Sequence, residues 1–343
     1  MSGGVTPAIR VRHLWHRYNN QDVVRDVSFD VAPGEIFGFI GPNGAGKTTT
    51  IKVMTTMLEP MAGRVEVDGI DVALEPERVR RLVGYMPDHA GVYDRITVRE
   101  YLEFFADAFG VDGVEVVDAV LELTDLGKLQ DRLVAAMSKG MKQRLQLARV
   151  LLHDPKILVL DEPASDLDPR ARIELRDLLL ELRDLGKTIF LSSHILTELA
   201  DVCSSVAILE KGRLVVAGPI REIAERLGQA QAARAAGGAV ARPGAPQPPE
   251  AAARATAAML RRVKLRVLGD ARAALPLLQG ASGIQTVEVT GAQMLVVTYA
   301  GGDDWVAGMV RHLVMSQIPL IGVEPERTEL ERIFLEATRG DLQ

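Results

Sequence analysis

The stretch GPNGAGKT at residues 41–48 has the spacing of a phosphate cradle, a glycine-rich turn closed by a lysine and a hydroxyl residue. Gly41, Gly44 and Gly46 let the backbone curl until successive N–H groups face phosphate oxygens. Lys47 can neutralise charge on β- and γ-phosphates, and the Thr48 hydroxyl can ligate Mg2+. Asn43, Ala45 and Thr49 complete the nucleotide-facing stretch. The strand-like run IFGFI at 36–40 enters the turn and the helical run TTTIKVMTTML leaves it. The cradle therefore sits at a helix N-terminus, whose dipole favours anions.

A second group lies in ILVLDEP at 157–163, where an apolar strand ends in two adjacent carboxylates. Strands of open α/β sheets deliver functional groups at their C-terminal ends. Asp161 is placed to hold Mg2+, directly or through water. Glu162 is placed to orient and polarise the water that attacks the terminal phosphate in line. A carboxylate after a strand can also simply cap the next helix, and Pro163 by itself marks only a sharp turn. A third group is MSKGMKQRLQLARVLL at 137–152. Ser138 and Gly140 open a helix whose apolar face is Met141, Leu145, Ala148 and Leu152. A hydroxyl and free N–H groups at a helix start make an anion site.

These groups need a scaffold that brings distant segments together. IFGFI at 36–40, KILVL at 156–160 and TIFLSS at 188–193 read as buried strands separated by helical periodicity, which predicts an α/β domain around a parallel sheet. From Gln229 to Ala258 the chain is rich in Ala, Pro, Gly and Arg, with RPGAPQPP at 242–249 as a helix breaker. The expected organisation is a nucleotide-binding domain over 1–228, a linker over 229–258 and an accessory domain over 259–343. The last segment reads as strand 261–268, helix 270–279, hairpin 284–299, helix 303–316 and strand 319–324. That βαββαβ order predicts a small α+β, ferredoxin-like domain. No internal repeat is present.

Taken together, the motifs resemble the ABC ATPases, P-loop NTPases with a helical subdomain. MSKGMKQR is similar to their LSGGQ signature, and the likeness spans essentially all of residues 8–228. GEIFGFIGPNGAGKTTTIKVMTTMLEPMAGRVEVDG, GYMPDHAGVYDRITVRE and TELERIFLEATRG narrow it to the drug-resistance and ABC-2 exporter type. The resemblance implies that Tyr18 stacks on adenine, that His194 in LSSH contacts the γ-phosphate, and that Asp168 in SDLDP communicates across a dimer. It implies that Ser138 and Gly140 close on the γ-phosphate held by a second ATPase subunit, so that two chains sandwich two ATP molecules. It further implies a separate transmembrane permease and a place at the cytoplasmic face of the cell membrane. Two positions depart from the pattern: Asp88 stands where Gln or Glu is usual, and Asp166 where glycine is usual. Asp88 keeps an oxygen for Mg2+, but its shorter arm must sit closer. Lys139 and Met141 differ from LSGGQ but suit the subgroup. The loop HAGVYDRITVRE at 89–100 is the expected permease contact.

Composition narrows the partners. With 40 basic and 46 acidic residues the net charge is −6, so no nucleic-acid partner is expected. The opening MSGGVTPAIRV lacks the features of a leader, and no apolar run nears the ~20 residues that span a bilayer. The single cysteine, Cys203, lies in the apolar context DVCSSVAIL and reads as core in a reducing compartment. The rival reading, a soluble ABC ATPase working on ribosomes or DNA, usually needs two cassettes or a long coiled coil, and neither is seen. A second rival makes the accessory domain a ligand sensor that regulates the ATPase; support of a dimer is the preferred role.

Overall fold

The computed structural model describes residues 6–88, 91–111, 114–165, 167–199, 202–224, 226, 260–279, 281–301, 303–325, 330 and 333–334. The expected linker at 229–258 and Asp166 lie outside the described residues, as do His89 and Ala90 of the expected contact loop and most of TELERIFLEATRG. The described chain forms two compact units, one holding residues up to Ile220 together with Phe334, the other running from Arg221 to Ile333.

The first unit contains two sheets. Strand β1 (Ile9–Tyr18) and strand β2 (Gln21–Val31) form a hairpin closed by Asn19 and Asn20, at φ 43° and 68°. Asparagine tolerates that left-handed conformation, which a two-residue turn matched to strand twist requires. With β4 (Ala62–Val67) and β5 (Ile70–Asp71) the hairpin makes an antiparallel sheet of order β2-β1-β4-β5. The second sheet has order β10-β9-β3-β8-β7-β6. Its strands are β3 (Ile36–Ile40), β6 (Val83–Met86), β7 (Ile157–Leu160), β8 (Thr188–Ser193), β9 (Ser205–Glu210) and β10 (Arg213–Pro219). All are parallel except β10, which runs antiparallel to β9. Strands β3, β7 and β8 are buried along their whole length, as their unbroken apolar runs predict.

The two sheets share a core through aromatic rings. Phe29 of β2 stacks on Phe37 at 5.6 Å and on Phe190 at 6.0 Å, and Phe39 meets Phe190 at 5.2 Å. Phe37 and Phe39 are two residues apart on β3 and so point to the same face. This packing holds the parallel sheet in register, so that the C-terminal ends of β3, β6, β7 and β8 come out side by side. Around the sheet lie α1 (Lys47–Met54), α2 (Pro76–Leu82), α3 (Val98–Phe109), α4 (Val114–Leu123), α5 (Lys139–Leu151), α6 (Pro169–Asp184) and α7 (Leu196–Leu199). Thr97 and Glu100 form a reciprocal capping box that fixes the start of α3. Cys203 is buried in this unit, and burial pushes its thiol well above the usual range, in keeping with a core residue.

The second unit combines four strands with short helices. Strands β11 (Leu260–Val267), β12 (Ile284–Gly291), β13 (Met294–Ala300) and β14 (Leu320–Pro325) form an antiparallel sheet of order β12-β13-β11-β14. Its core holds Val263, Leu265, Leu295, Val297, Met309 and Leu313. The helix expected over 270–279 is instead a 3-10 turn at Ala271–Ala274 followed by α8 (Leu275–Leu278). Pro276 explains the break, because proline is accepted only in a first helical turn. The other helix, α9, spans Asp303–Met315. Among the described residues, no helix is long and apolar enough to cross a membrane.

Candidate active site

The glycine-rich turn follows β3 and ends at Gly46, which caps α1 with φ 105° and no side-chain cap. A Cβ on Gly46 would lie 2.7 Å from the Val23 carbonyl oxygen, and one on Gly41 would lie 2.4 Å from that of Leu209. Both positions therefore exclude a side chain. Gly44, at φ 79°, has open space around it. Asn43, Gly44 and Thr48 are exposed, whereas Ala45, Lys47 and Thr49 are buried. The first N–H groups of α1 thus face an open cradle. The Lys47 ammonium donates to the Gly41 carbonyl at 2.7 Å and pairs with Glu162 Oε1 at 3.1 Å.

The acidic pair leaves β7 next to β8. Asp161 N–H donates to the Met86 carbonyl at 2.8 Å, which locks the exit of β7 against the end of β6. The Ser192 hydroxyl of β8 donates to Asp161 Oδ1 at 2.6 Å and accepts the Glu162 N–H at 3.0 Å. Glu162 sits at φ 51°, a strained conformation for a residue with a Cβ. Its Oε2 lies 2.8 Å from His194 Nδ1 and accepts the His194 N–H at 3.3 Å. The Glu162 carboxylate is therefore clamped between a cation and an imidazole. Burial pushes the Asp161 carboxyl up from its usual range; bonds from Ser192 and Thr48 oppose this, and the charges of Glu162 and Asp88 add to it.

Asp88 follows β6 and accepts the Ser165 hydroxyl at 3.1 Å. Its charge reaches Asp161 and also Tyr85, whose phenol is pushed up to about 12 by burial, then by Asp161 and Asp88. Among the described residues the second oxygen of Asp161, Oδ2, is buried without a hydrogen-bond partner. The carboxylates of Asp161 and Asp88, the former with its orphaned buried oxygen, and the Thr48 hydroxyl form an oxygen-only donor set, which suits a hard divalent cation such as Mg2+.

Other sequence-predicted residues lie in separate places. Ser138 caps α5, accepting the Met141 N–H at 3.3 Å, and a Cβ on Gly140 would lie 3.1 Å from Ala171 of α6. Asp168 caps α6, accepting the Ala171 N–H at 2.8 Å, with Pro169 at the first helical position. Gly140 thus sets the start of α5 against the first turn of α6, while Ser138 and Asp168 each cap their own helix. Gln143 connects the two regions by donating to the Pro163 carbonyl at 2.9 Å. Tyr18 ends β1, 42% exposed, with its ring edge-on to His16 at 4.8 Å. Its hairpin abuts the cradle through Val23. Ser192, Ser165 and Gln143 were not singled out by the sequence. A double serine ending an otherwise apolar strand was the available signal for Ser192.

Comparison with known proteins gives a consistent result. The family model "ABC transporter" matches residues 24–165. Nod factor export ATP-binding protein I of Ralstonia nicotianae is 37% identical over 223 residues, covering 64% of this chain and 70% of that protein. Bacitracin transport ATP-binding protein BcrA of Bacillus licheniformis is 37% identical over 219 residues, covering 64% and 72%. A solved structure titled as the ATP binding subunit of an ABC transporter superposes with a TM-score of 0.59 at 34% identity, covering 65% of this chain and 94% of that one.

Proposed function

Because the chain belongs to the ABC transporter ATP-binding proteins and is an ATPase, we propose that it energises export through a separate membrane-spanning permease. The observation that carries this reading is the convergence of Lys47, Asp161, Glu162 and His194, with Glu162 held between Lys47 and His194. The export half rests on relatives whose names specify Nod factor export and bacitracin transport. In this reading residues 1–228 are the ATPase domain, 229–258 a linker and 259–343 an accessory domain that supports a dimer.

ATP is the substrate, its phosphates received by N–H groups between Gly41 and Thr49. Lys47 exchanges the Gly41 carbonyl and Glu162 for phosphate oxygens. Glu162 is then free to take a proton from the attacking water, while His194 holds its other oxygen. Thr48, Asp161 and Asp88 would hold Mg2+, which when bound neutralises charge on the β- and γ-phosphate oxygens. Tyr18 offers a ring for adenine. Ser138 and Gly140, with Asp168 beside them, serve the nucleotide of a second ATPase subunit at the cytoplasmic face of the membrane. Purified chain is expected to hydrolyse ATP with Mg2+ and to stop in EDTA; inactivity under both conditions sinks the reading. Tyr18→Ala is expected to raise the KM for ATP by about 3- to 10-fold with kcat little changed, the equivalent of ~0.5–1.5 kcal/mol of ring stacking.

The permease contact is proposed for the loop at 89–100 and helix α3. Tyr93 and Phe104 are 56% and 51% exposed and pack edge to face at 5.5 Å, an apolar patch of the kind that marks interaction surfaces. The loop is fastened to the start of α5: Lys142 pairs with Asp94 at 2.9 Å, and Ala135 N–H donates to the Asp94 carbonyl at 3.0 Å. A push on the loop would therefore reach Ser138. A Tyr93→Ser, Phe104→Ser double variant is expected to keep the ATPase rate of the isolated chain and lose co-purification with the permease. Retained co-purification would move the contact elsewhere.

A further inference from the structure

We propose that Ser192 is a positioning residue that sets both carboxylates of the site, selecting which Asp161 oxygen faces the metal and holding the backbone from which Glu162 acts. This rests on the reading of Asp161 as a Mg2+ ligand and Glu162 as the base. Ser192 is fully buried on β8 and paired in register with Phe39 of β3, so its hydroxyl has no access to solvent.

The direction of its two hydrogen bonds is fixed by elementary chemistry. A backbone N–H can only donate, so Ser192 Oγ must accept from Glu162 at 3.0 Å. The single hydroxyl hydrogen is then committed to Asp161 Oδ1 at 2.6 Å. Oδ1 is thereby occupied, and Oδ2, buried and unpartnered among the described residues, is left to face a cation. The other bond, in which Ser192 Oγ accepts the Glu162 N–H, anchors that amide, whose φ of 51° must be held by its surroundings. Asp161 cannot then rotate to present Oδ1 without giving up its bond from Ser192. One hydroxyl thus couples metal orientation to base placement without touching nucleotide.

The test uses the full chain with Ser192→Ala, Ser192→Cys and Ser192→Thr. A fluorescent ATP analogue is titrated in EDTA and again across a Mg2+ series, and kcat is measured at saturating ATP. Ala and Cys are expected to keep the EDTA affinity of the parent, which depends on the glycine-rich turn and Lys47. They should need about 10-fold more Mg2+ for half of the metal-dependent gain in binding, and kcat should fall about 10- to 100-fold, the range seen when groups that orient metal ligands are removed. Thr, which retains the hydroxyl, should restore both. Parental Mg2+ dependence in Ala and Cys would overturn the proposal. So would an equal loss of EDTA affinity in all three variants, which is the signature of a merely structural position. If the parent itself gains no affinity from Mg2+ and hydrolyses nothing, the functional reading has failed first, and this proposal falls with it.

Discussion

Replacing Glu162 with Gln is expected to lower ATP turnover by about 10²- to 10⁴-fold, the range for removing a positioned general base. Gln keeps the shape and the contact to His194 but cannot accept a proton from water. Nucleotide affinity should hold or improve. In the present structure the Glu162 carboxylate pairs with Lys47 at 3.1 Å, both groups being buried. An incoming phosphate must compete for that ammonium. The neutral amide frees Lys47 and removes a negative charge from the neighbourhood of the phosphates. Single-turnover hydrolysis and equilibrium binding measured on one preparation separate the two effects. Parental turnover in this variant would remove Glu162 from the role of base.

Lys47→Ala is expected to fail differently, losing binding as well as turnover. Each hydrogen bond from the ammonium to phosphate is charge-assisted and worth ~1.5–3 kcal/mol, so affinity should fall by about 10- to 150-fold for each bond lost. The nucleotide-free protein should also suffer. Removing one partner of a buried pair leaves Glu162 clamped to His194 with its cation gone, beside Asp161, a change that costs about 3 kcal/mol. Urea unfolding without nucleotide reads that cost. Lys47→Met, which keeps the alkyl packing, should lose the same affinity while restoring part of the stability only if packing contributes. Stability unchanged in both variants would mean that the Lys47–Glu162 pair is dispensable to the fold.

The contrast between these variants shows what could be read from sequence and what could not. The glycine-rich turn and the strand-ending carboxylates were legible because their chemistry demands fixed residue types at short spacing. Buried parallel strands were legible as unbroken apolar runs. The antiparallel sheet was not recognised, since IRVRHLWHRY mixes charge with apolar residues and shows no continuous run. Its alternation, together with Asn19-Asn20 before the next strand, was the signal available. Pro276 was visible, yet the helix expected over 270–279 ran through it. The Lys47–Glu162–His194 clamp and the Ser192 link join residues remote in the chain, and only the register of β3, β7 and β8 brings them together. Asp88 was expected to sit closer than a longer side chain would; the bond to Ser165 could not have been foreseen, because it depends on where β6 ends beside β7.

The central claim, that this ATPase works through a separate membrane permease, is tested most directly by partner capture. A tagged Glu162→Gln variant, loaded with ATP and so held in its nucleotide-bound form, is isolated from mild detergent extracts and its partners are identified by mass spectrometry. The account predicts a polytopic membrane protein at abundance matching the ATPase. Ribosomal or DNA-repair proteins with no membrane partner would contradict it, leaving an ATPase whose work lies elsewhere.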